Sequence, residues 1–268
     1  MKIEDRYREF LPEARRVVVK VGSRVIEQKT GKPDAASLRR LVSQISKLHH
    51  QGYEIILVSS GAVGAGMDAL GLKTRPALVT DQQMCAAVGQ ARLMAQYQGL
   101  FGKEGITIGQ LLLTHMDFQH RLRLSNAKRT LEHLIRNNVI PIINENDVVA
   151  DEEVKAISSF GDNDYLASLV VKVTRADVLV ILSTVDGVLD AQEKRVPLIE
   201  DLKEAFRLVN PALSNGGLSK GGMDSKLKAA QNAGKAGCST VIACGRSPHV
   251  LTDILAGKDV GTLVLCAL

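Results

Sequence analysis

Short runs of valine, isoleucine and leucine alternate along the chain with longer stretches in which apolar residues recur every three or four positions. Runs without regular polar alternation are typical of strands buried on both faces of a sheet, and the longer stretches are typical of amphipathic helices. The predicted strands are Val17–Val21, Glu54–Ser59, Thr107–Leu113, Val139–Asn144, Val178–Leu182 and Thr240–Ala243. The predicted helices are Asp34–His50, Asp81–Gly102, Phe118–Asn137, Asn163–Thr174 and Met223–Ala236.

This order of elements predicts an α/β fold, a three-layer αβα sandwich with a mostly parallel central sheet and right-handed crossovers. The chain has no internal repeat or clear linker, and Asp151–Phe160 is interpreted as a β-hairpin or flap, so residues 1–268 are expected to form a single domain. Ligands of open parallel sheets bind beyond the carboxyl ends of the strands. The residues at those ends are therefore the candidates for function.

Two predicted strands end in groups that suit an anion. The first, Val17–Val21, carries Lys20 next to its end and is followed by Gly22-Ser23. This lysine either marks the exit of the strand into water or reaches toward an anion above the sheet. The second runs into SSGAVGAG, residues 59–66, where Ser60 and the glycines offer a hydroxyl and bare amides. A glycine-rich turn that only permits close packing is the alternative. The glycine order also departs from the G-x-G-x-x-G dinucleotide fingerprint.

Two further segments add polar and cationic groups. NENDVVA, residues 144–150, places amides and acids directly after a strand. FGDNDYLAS follows at 160–168, with Asp162, Asn163 and Asp164 at the start of a helix, and helix capping alone would explain only one of these three. NGGLSKGGMDSKLKAA, residues 215–230, is predicted to be a mobile glycine loop leading into a helix near Met223. Lys226 can lean back over that loop, because helical side chains point toward the N-terminus. The segment lacks the Walker A spacing, and no strand precedes its G-x-S-x-G match, which argues against a serine hydrolase.

The strand ends together supply lysines, glycine-rich loops and acids, but no histidine base. Phosphoryl transfer to a carboxylate fits this set, because an ionised nucleophile needs no general base and the protein only has to position groups and neutralise charge. Magnesium would bridge the phosphates of the donor. On this interpretation Lys20 is a functional residue.

Composition narrows the possible partners. The net charge of +5 is mild, and with 3% aromatic residues and no tryptophan the chain is poorly supplied for stacking nucleic-acid bases. The amino terminus has no apolar core of a signal peptide, no apolar run approaches a membrane span, and the four cysteines show no CxxC pairing. We therefore expect a cytoplasmic protein that binds neither nucleic acid nor membrane.

The motifs VVVKVGS, VSSGAVGAG, PIINENDVVA, FGDND, VDG and KGGMDSKLKAA resemble, in this order, the amino acid kinase family, from about Val17 to Leu263. The resemblance is strongest to its branch that phosphorylates the side-chain carboxylate of L-glutamate with ATP and Mg²⁺, the first step of proline biosynthesis. It implies that Lys20 and Lys226 neutralise the transferring phosphoryl group and that Asp164 holds both lysines. It implies a glutamate site made of Ser60, Gly61, Asp147 and Asn163, supported by Asn144 and Asp162. It implies an ATP site made of Lys20, Gly22, Ser183, Thr184, Lys220, Gly221, Gly222, Met223, Asp224, Ser225 and Lys226.

The chain departs from this pattern at two positions that bear on nucleotide affinity and base preference. Ser183-Thr184 stands where these kinases usually have Thr-Asp, and Lys220 stands where they usually have threonine. The resemblance further implies a homodimer or homotetramer, a hand-off to glutamyl phosphate reductase, and one catalytic domain without the RNA-binding-like PUA domain of longer relatives.

Three alternatives stay open at the level of sequence. The first is a sister kinase acting on N-acetylglutamate, aspartate, carbamate or UMP, although INEND and FGDND favour free glutamate. The second is a nicotinamide-dependent dehydrogenase, which the glycine order disfavours. The third is a non-catalytic sensor of glutamate or proline, which would keep the pocket but release no ADP.

Overall fold

The computed structural model describes residues 6–28, 30–150, 162–208 and 222–266. Within them, one sheet has the strand order β3-β4-β2-β1-β5-β7-β8-β6. All its pairings are parallel except β7 with β8. The mostly parallel αβα fold predicted from the sequence is confirmed. The strands are β1 (Arg16–Val21), β2 (Glu54–Ser59), β3 (Ile108–Leu113), β4 (Ile140–Glu145), β5 (Val178–Ser183), β6 (Leu198–Ile199), β7 (Ser239–Cys244) and β8 (Thr262–Val264).

Helices cover both faces of the sheet, and none of those in the described residues is long and apolar enough to cross a membrane. They are α1 (Ser23–Ile26), α2 (Ala35–His50), α3 (Ala62–Ala69), α4 (Val79–Lys103), α5 (His115–Gln119), α6 (Arg121–Arg136), α7 (Asp162–Thr174), α8 (Leu202–Leu208), α9 (Met223–Gly234) and α10 (Val250–Leu255).

The two faces of β1 lead to two different hydrophobic cores. Val17, Val19 and Val21 pack into the core covered by α2, α4 and α10, while Val18 packs into the core covered by α6, α7 and α9. Because strand side chains alternate between faces, Lys20 points to the same face as Val18. The period of the strand therefore aims this lysine at α7 and α9.

The structure departs from the predicted helices at two places. The helix predicted over Phe118–Asn137 is interrupted at His120, whose extended backbone (φ −92°, ψ 111°) separates α5 from α6. The helix α3, which begins at Ala62 and includes two of the glycines of residues 59–66, was not among the predicted helices. The predicted flap Asp151–Phe160 lies outside the described residues.

Glycine explains how α3 and α4 pack so closely. A Cβ on Gly66 would overlap the carbonyl oxygen of Cys85, and a Cβ on Gly89 would overlap the carbonyl oxygen of Ala62 and the amide nitrogen of Gly66. The two helices thus meet backbone to backbone, and of these two glycines Gly66 belongs to the segment for which close packing was the alternative. Gly61 has a different role, since its φ of 108° starts α3 from a conformation that favours glycine.

Candidate active site

A buried cluster of two lysines and one aspartate lies at the carboxyl end of β1. Nζ of Lys20 is 2.7 Å from Oδ1 of Asp164, and Nζ of Lys226 is 3.3 Å from Oδ2 of the same carboxylate. The Ser225 hydroxyl donates to Oδ2 over 2.8 Å. Lys20 is 6% exposed, Asp164 1% and Lys226 5%. Because Lys20 is buried, the alternative that it merely marks the exit of the strand into water is wrong.

The charges in this cluster do not balance. Burial alone would raise the pKa of Asp164, but Lys20, Lys226 and the Ser225 hydroxyl outweigh it and hold the pKa of this carboxyl below its usual value. Burial lowers the pKa of Lys226, and Asp164 opposes this effect. Among the side chains that the structure describes here, two lysines meet a single carboxylate in a place of low solvent access. The cluster is therefore suited to a further anion, such as a phosphoryl group.

A row of polar side chains adjoins the cluster. Asn163, next to Asp164 on α7, donates through Nδ2 to the Ser60 hydroxyl over 2.7 Å and to Oδ1 of Asn144 over 3.0 Å. Asn144, at the end of β4, donates in turn to Oε1 of Gln90 over 2.9 Å. The predicted residues Ser60, Asn144 and Asn163 thus come together from three separate elements, and Gly61 follows Ser60 directly.

The remaining predicted substrate residues are less fully placed. Asp147 lies half-buried in the turn after β4, three residues beyond Asn144. Asp162 is the first residue of α7, and its side chain is outside the described part of the structure.

The predicted nucleotide residues lie at the same edge of the sheet. Gly22 donates its N–H to the carbonyl of Leu182, which places the turn after β1 beside the end of β5 and its terminal Ser183; Thr184 follows and is exposed. Gly222 caps α9 with an extended backbone, and Ser225 bonds back to its carbonyl. The first turn of α9 holds Met223, Asp224, Ser225 and Lys226. Lys220 and Gly221, with the rest of the predicted glycine loop, lie outside the described residues.

Sequence reasoning missed two residues beside this site. Gln90 sits in the middle of α4, where nothing in the local sequence distinguishes it from the other glutamines of that helix. Glu27 follows α1, and its Oε1 would lie 3.9 Å from a Cβ on Gly61. The position of Glu27 depends on two backbone hydrogen bonds beside it, in which the N–H of Asp34 donates to the carbonyl of Ile26 and the N–H of Gln28 donates to the carbonyl of Lys32.

Glu27 is expected to make stability depend on pH. Burial raises its pKa to about 7 from 4.5, against the opposing charges of Arg75 and Arg24. The folded state then keeps a proton that the unfolded chain releases, so stability is lost as pH rises from about 4.5 to 7, by about 3 kcal/mol in all. Glu27→Gln should therefore be more stable than wild type at pH 8 and nearly equal to it at pH 4.5. Urea unfolding at the two pH values measures this difference.

The matched control is Glu13→Gln, which removes an exposed carboxylate. It should leave the pH dependence of unfolding close to that of wild type. If Glu27→Gln gains no stability between pH 4.5 and 8 relative to this control, Glu27 does not carry the proposed proton.

A surface groove of about 400 Å³ lies away from these residues, along one side of α6. Its lining comes only from that helix and the residue after it, and it contains neither lysine nor carboxylate: Arg129, Thr130, His133, Leu134 and Asn137. We place the candidate site at the strand ends, where the buried charges are.

Comparison with known proteins agrees with this geometry. Residues 15–244 match the profile of the amino acid kinase family. The chain is 42% identical to a glutamate 5-kinase from Chromohalobacter salexigens, covering 96% of this chain and 68% of that protein. It is 41% identical to a glutamate 5-kinase from Symbiobacterium thermophilum, covering 96% of this chain and 98% of that protein. The chain therefore belongs to the amino acid kinase family and, within it, to the glutamate 5-kinases.

Solved structures support the fold alone, since their sequences are distant. Carbamate kinase from Giardia lamblia bound to AMP-PNP has a TM-score of 0.63 at 21% identity, covering 96% of this chain and all of that one (100%). N-acetylglutamate synthase from Neisseria gonorrhoeae, complexed with coenzyme A and L-arginine, has a TM-score of 0.64 at 15% identity, covering 98% of this chain and 64% of that one.

Proposed function

We propose that this chain transfers the γ-phosphoryl group of ATP to the side-chain carboxylate of L-glutamate, giving L-glutamyl 5-phosphate and ADP in the first step of proline biosynthesis. The observation that carries the proposal is the buried cluster of Lys20, Asp164 and Lys226, with its excess positive charge at the carboxyl edge of the sheet. The relatives named glutamate 5-kinase support the choice of acceptor.

The chemistry needs little beyond charge and position. A carboxylate oxygen of glutamate attacks the γ-phosphorus, and the bond from that phosphorus to the β–γ bridging oxygen breaks, so ADP leaves. The attacking group is already ionised, and no proton has to be removed from it. Lys20 and Lys226 neutralise charge on the transferring group, and Asp164 keeps both ammonium groups in place.

Magnesium belongs to the substrate in this proposal. The described residues contain no group of three histidine, cysteine or acidic side chains that could hold a metal ion. Mg²⁺ is commonly held by substrate phosphates with few protein ligands. We therefore expect the ion to arrive as magnesium-ATP.

The neighbouring residues divide between the two substrates. Ser60, Gly61, Asn144, Asp147 and Asn163, with Asp162, are proposed to bind glutamate. ATP is proposed to lie along the turn after β1, the end of β5 and the start of α9, contacting Lys20, Gly22, Ser183, Thr184 and the stretch from Lys220 to Lys226. The finer proposals of a homodimer or homotetramer and of a hand-off to glutamyl phosphate reductase rest on the family alone.

The test is ADP release from magnesium-ATP with a panel of acceptors, with the acyl phosphate trapped by hydroxylamine. We expect turnover with L-glutamate and at least about 100-fold lower kcat/KM with N-acetylglutamate, aspartate, carbamate and UMP, because a site built to bond polar groups rejects ligands that leave them unpaired. Turnover with another acceptor in place of glutamate would make the protein a sister kinase. Glutamate binding without any ADP release would make it a sensor.

A further inference from the structure

In the polar row beside the lysine cluster, Asn163 donates both to Ser60 and to Asn144, and Asn144 donates to Gln90. The row runs from Ser60 through Asn163 and Asn144 to Gln90, joining the start of α3, α7, the end of β4 and α4. Asn144 is 3% exposed, and the residues at both ends of the row are half-buried. The row therefore leads from the buried carboxylate at Asp164 out toward partly open space.

One backbone group fixes how both inner amides are turned. The N–H of Glu145 can only donate, and it donates to the side chain of Asn144 over 2.9 Å, so the atom it meets is Oδ1. Nδ2 of Asn144 must then face Gln90 and donate, and Gln90 must accept through Oε1. Nε2 of Gln90 is left as a donor, and no hydrogen bond from it occurs within the described residues.

The same logic leaves an unpaired acceptor on Asn163. Oδ1 of Asn144 is already an acceptor, so the atom of Asn163 that faces it is Nδ2. Oδ1 of Asn163 is buried and has no hydrogen-bond partner among the described residues. Buried polar groups are rarely left unpaired, because this costs stability. An unpaired acceptor on Asn163 and an unpaired donor on Gln90 thus lie in one row, on either side of Asn144.

The packing of α4 holds Gln90 close to this row. The preceding residue, Gly89, is the one whose bare backbone touches Ala62 at the start of α3. The next residue, Gln90, faces Asn144, from whose Nδ2 it accepts a hydrogen bond through Oε1.

We propose that Gln90 is a substrate-binding residue whose Nε2 donates to the α-carboxylate of the amino acid, while Oδ1 of Asn163 receives the α-ammonium group. This inference rests on the proposed function, since it takes glutamate as the ligand. An amino acid carries both complementary groups on one carbon, and its side-chain carboxylate can then extend toward Lys20 and Lys226. Oε1 of Gln90 also holds Asn144, so one amide links the substrate to the row.

Two variants of the full-length chain separate a direct contact from a supporting role. Gln90→Glu keeps the acceptor that faces Asn144 but replaces the donor with an anionic oxygen, and Gln90→Met removes both groups at similar length. We expect each to raise KM for glutamate by about 10- to 100-fold, with kcat within about threefold and KM for ATP unchanged, as for a group that binds substrate and transition state equally. Gln98→Glu, on an exposed position of the same helix, is the matched control and should behave as wild type.

The deciding readout uses isoglutamine, the glutamate analogue whose α-carboxylate is an amide. Calorimetry gives the dissociation constants of glutamate and isoglutamine for wild type and both variants. We expect the preference for glutamate to fall by at least about tenfold in both variants, because the donor that distinguishes carboxylate from amide is gone. A variant that loses affinity equally for both ligands would overturn the proposal, since Gln90 would then act only through Asn144. An unchanged KM for glutamate would also overturn it.

Thermal unfolding of each variant shows whether it is folded, and either variant alone decides the question. The test of Gln90 can fail separately from the test of the proposed function. If wild type forms no acyl phosphate from glutamate, the proposed function fails. If wild type does so and the ligand preference survives in the variants, only the role of Gln90 fails.

Discussion

Replacing Lys226 with methionine is expected to lower kcat for acyl phosphate formation by about 10²- to 10³-fold. A fixed charge that stabilises the transferring group is worth this much in other enzymes, and the loss falls on kcat because the charge develops in the transition state. The assay is hydroxylamine trapping of the product at saturating glutamate and ATP.

This variant is expected to fold. Methionine matches the length of lysine, and Asp164 keeps Lys20 at 2.7 Å as well as the hydroxyl of Ser225. Burial lowers the pKa of Lys226. Removing its ammonium group leaves Lys20 and Asp164 as a pair of opposite charges rather than one isolated buried charge. The free energy of unfolding should therefore change by no more than about 1–2 kcal/mol.

Lys235→Met is the control, since Lys235 is exposed at the other end of the same helix. It should retain the kcat of wild type. A Lys226→Met protein that is folded and turns over at more than about a tenth of the wild-type rate would remove this lysine from the phosphoryl site.

Replacing Gly89 with alanine is expected to destabilise the protein by about 3 kcal/mol or more. The added methyl group would overlap backbone atoms of Ala62 and Gly66, and backbone cannot turn aside as a side chain can. Relief requires α3 and α4 to separate, which moves Ser60 and Gly61 at the start of α3. Loss of glutamate affinity should accompany the loss of stability, as measured by urea unfolding and by KM for glutamate.

Gly99→Ala is the matched control on the same helix, because no atom lies within 4 Å of the position of its Cβ. Alanine forms helix more readily than glycine, so this variant should gain about 0.5–1 kcal/mol. If both alanine variants stabilise α4 equally, the close contact between the two helices is not present in solution.

Periodicity was enough to predict six of the eight strands in the described residues and a mostly parallel sheet, but not the order of the strands. The strand Val178–Leu182 is apolar throughout and Val17–Val21 is apolar apart from Lys20, and only a sheet covered on both faces buries such strands. Prediction of secondary structure failed where a single residue changes the course of the backbone. His120 interrupts the helix predicted over Phe118–Asn137. The residues around it are as polar, and as compatible with a helix, as those in the rest of the predicted helix, so the interruption could not be read from the sequence. The helix that begins at Ala62 was hidden because its glycines, chosen for close packing, weaken the helical pattern.

The sequence by itself determined the fold class, the strand ends that carry the candidate residues, and the family, because these depend on local pattern and on short motifs. It also placed Lys20, Asp164 and Lys226 among the candidates. The family resemblance implied that Asp164 holds both lysines, but only the tertiary structure gave the distances and the burial of this contact, since they depend on how three distant parts of the chain pack together. The contacts of Gln90 and Glu27 likewise depend on packing, because the sequence around a polar side chain in a helix or turn does not show which residues will face it in the folded protein.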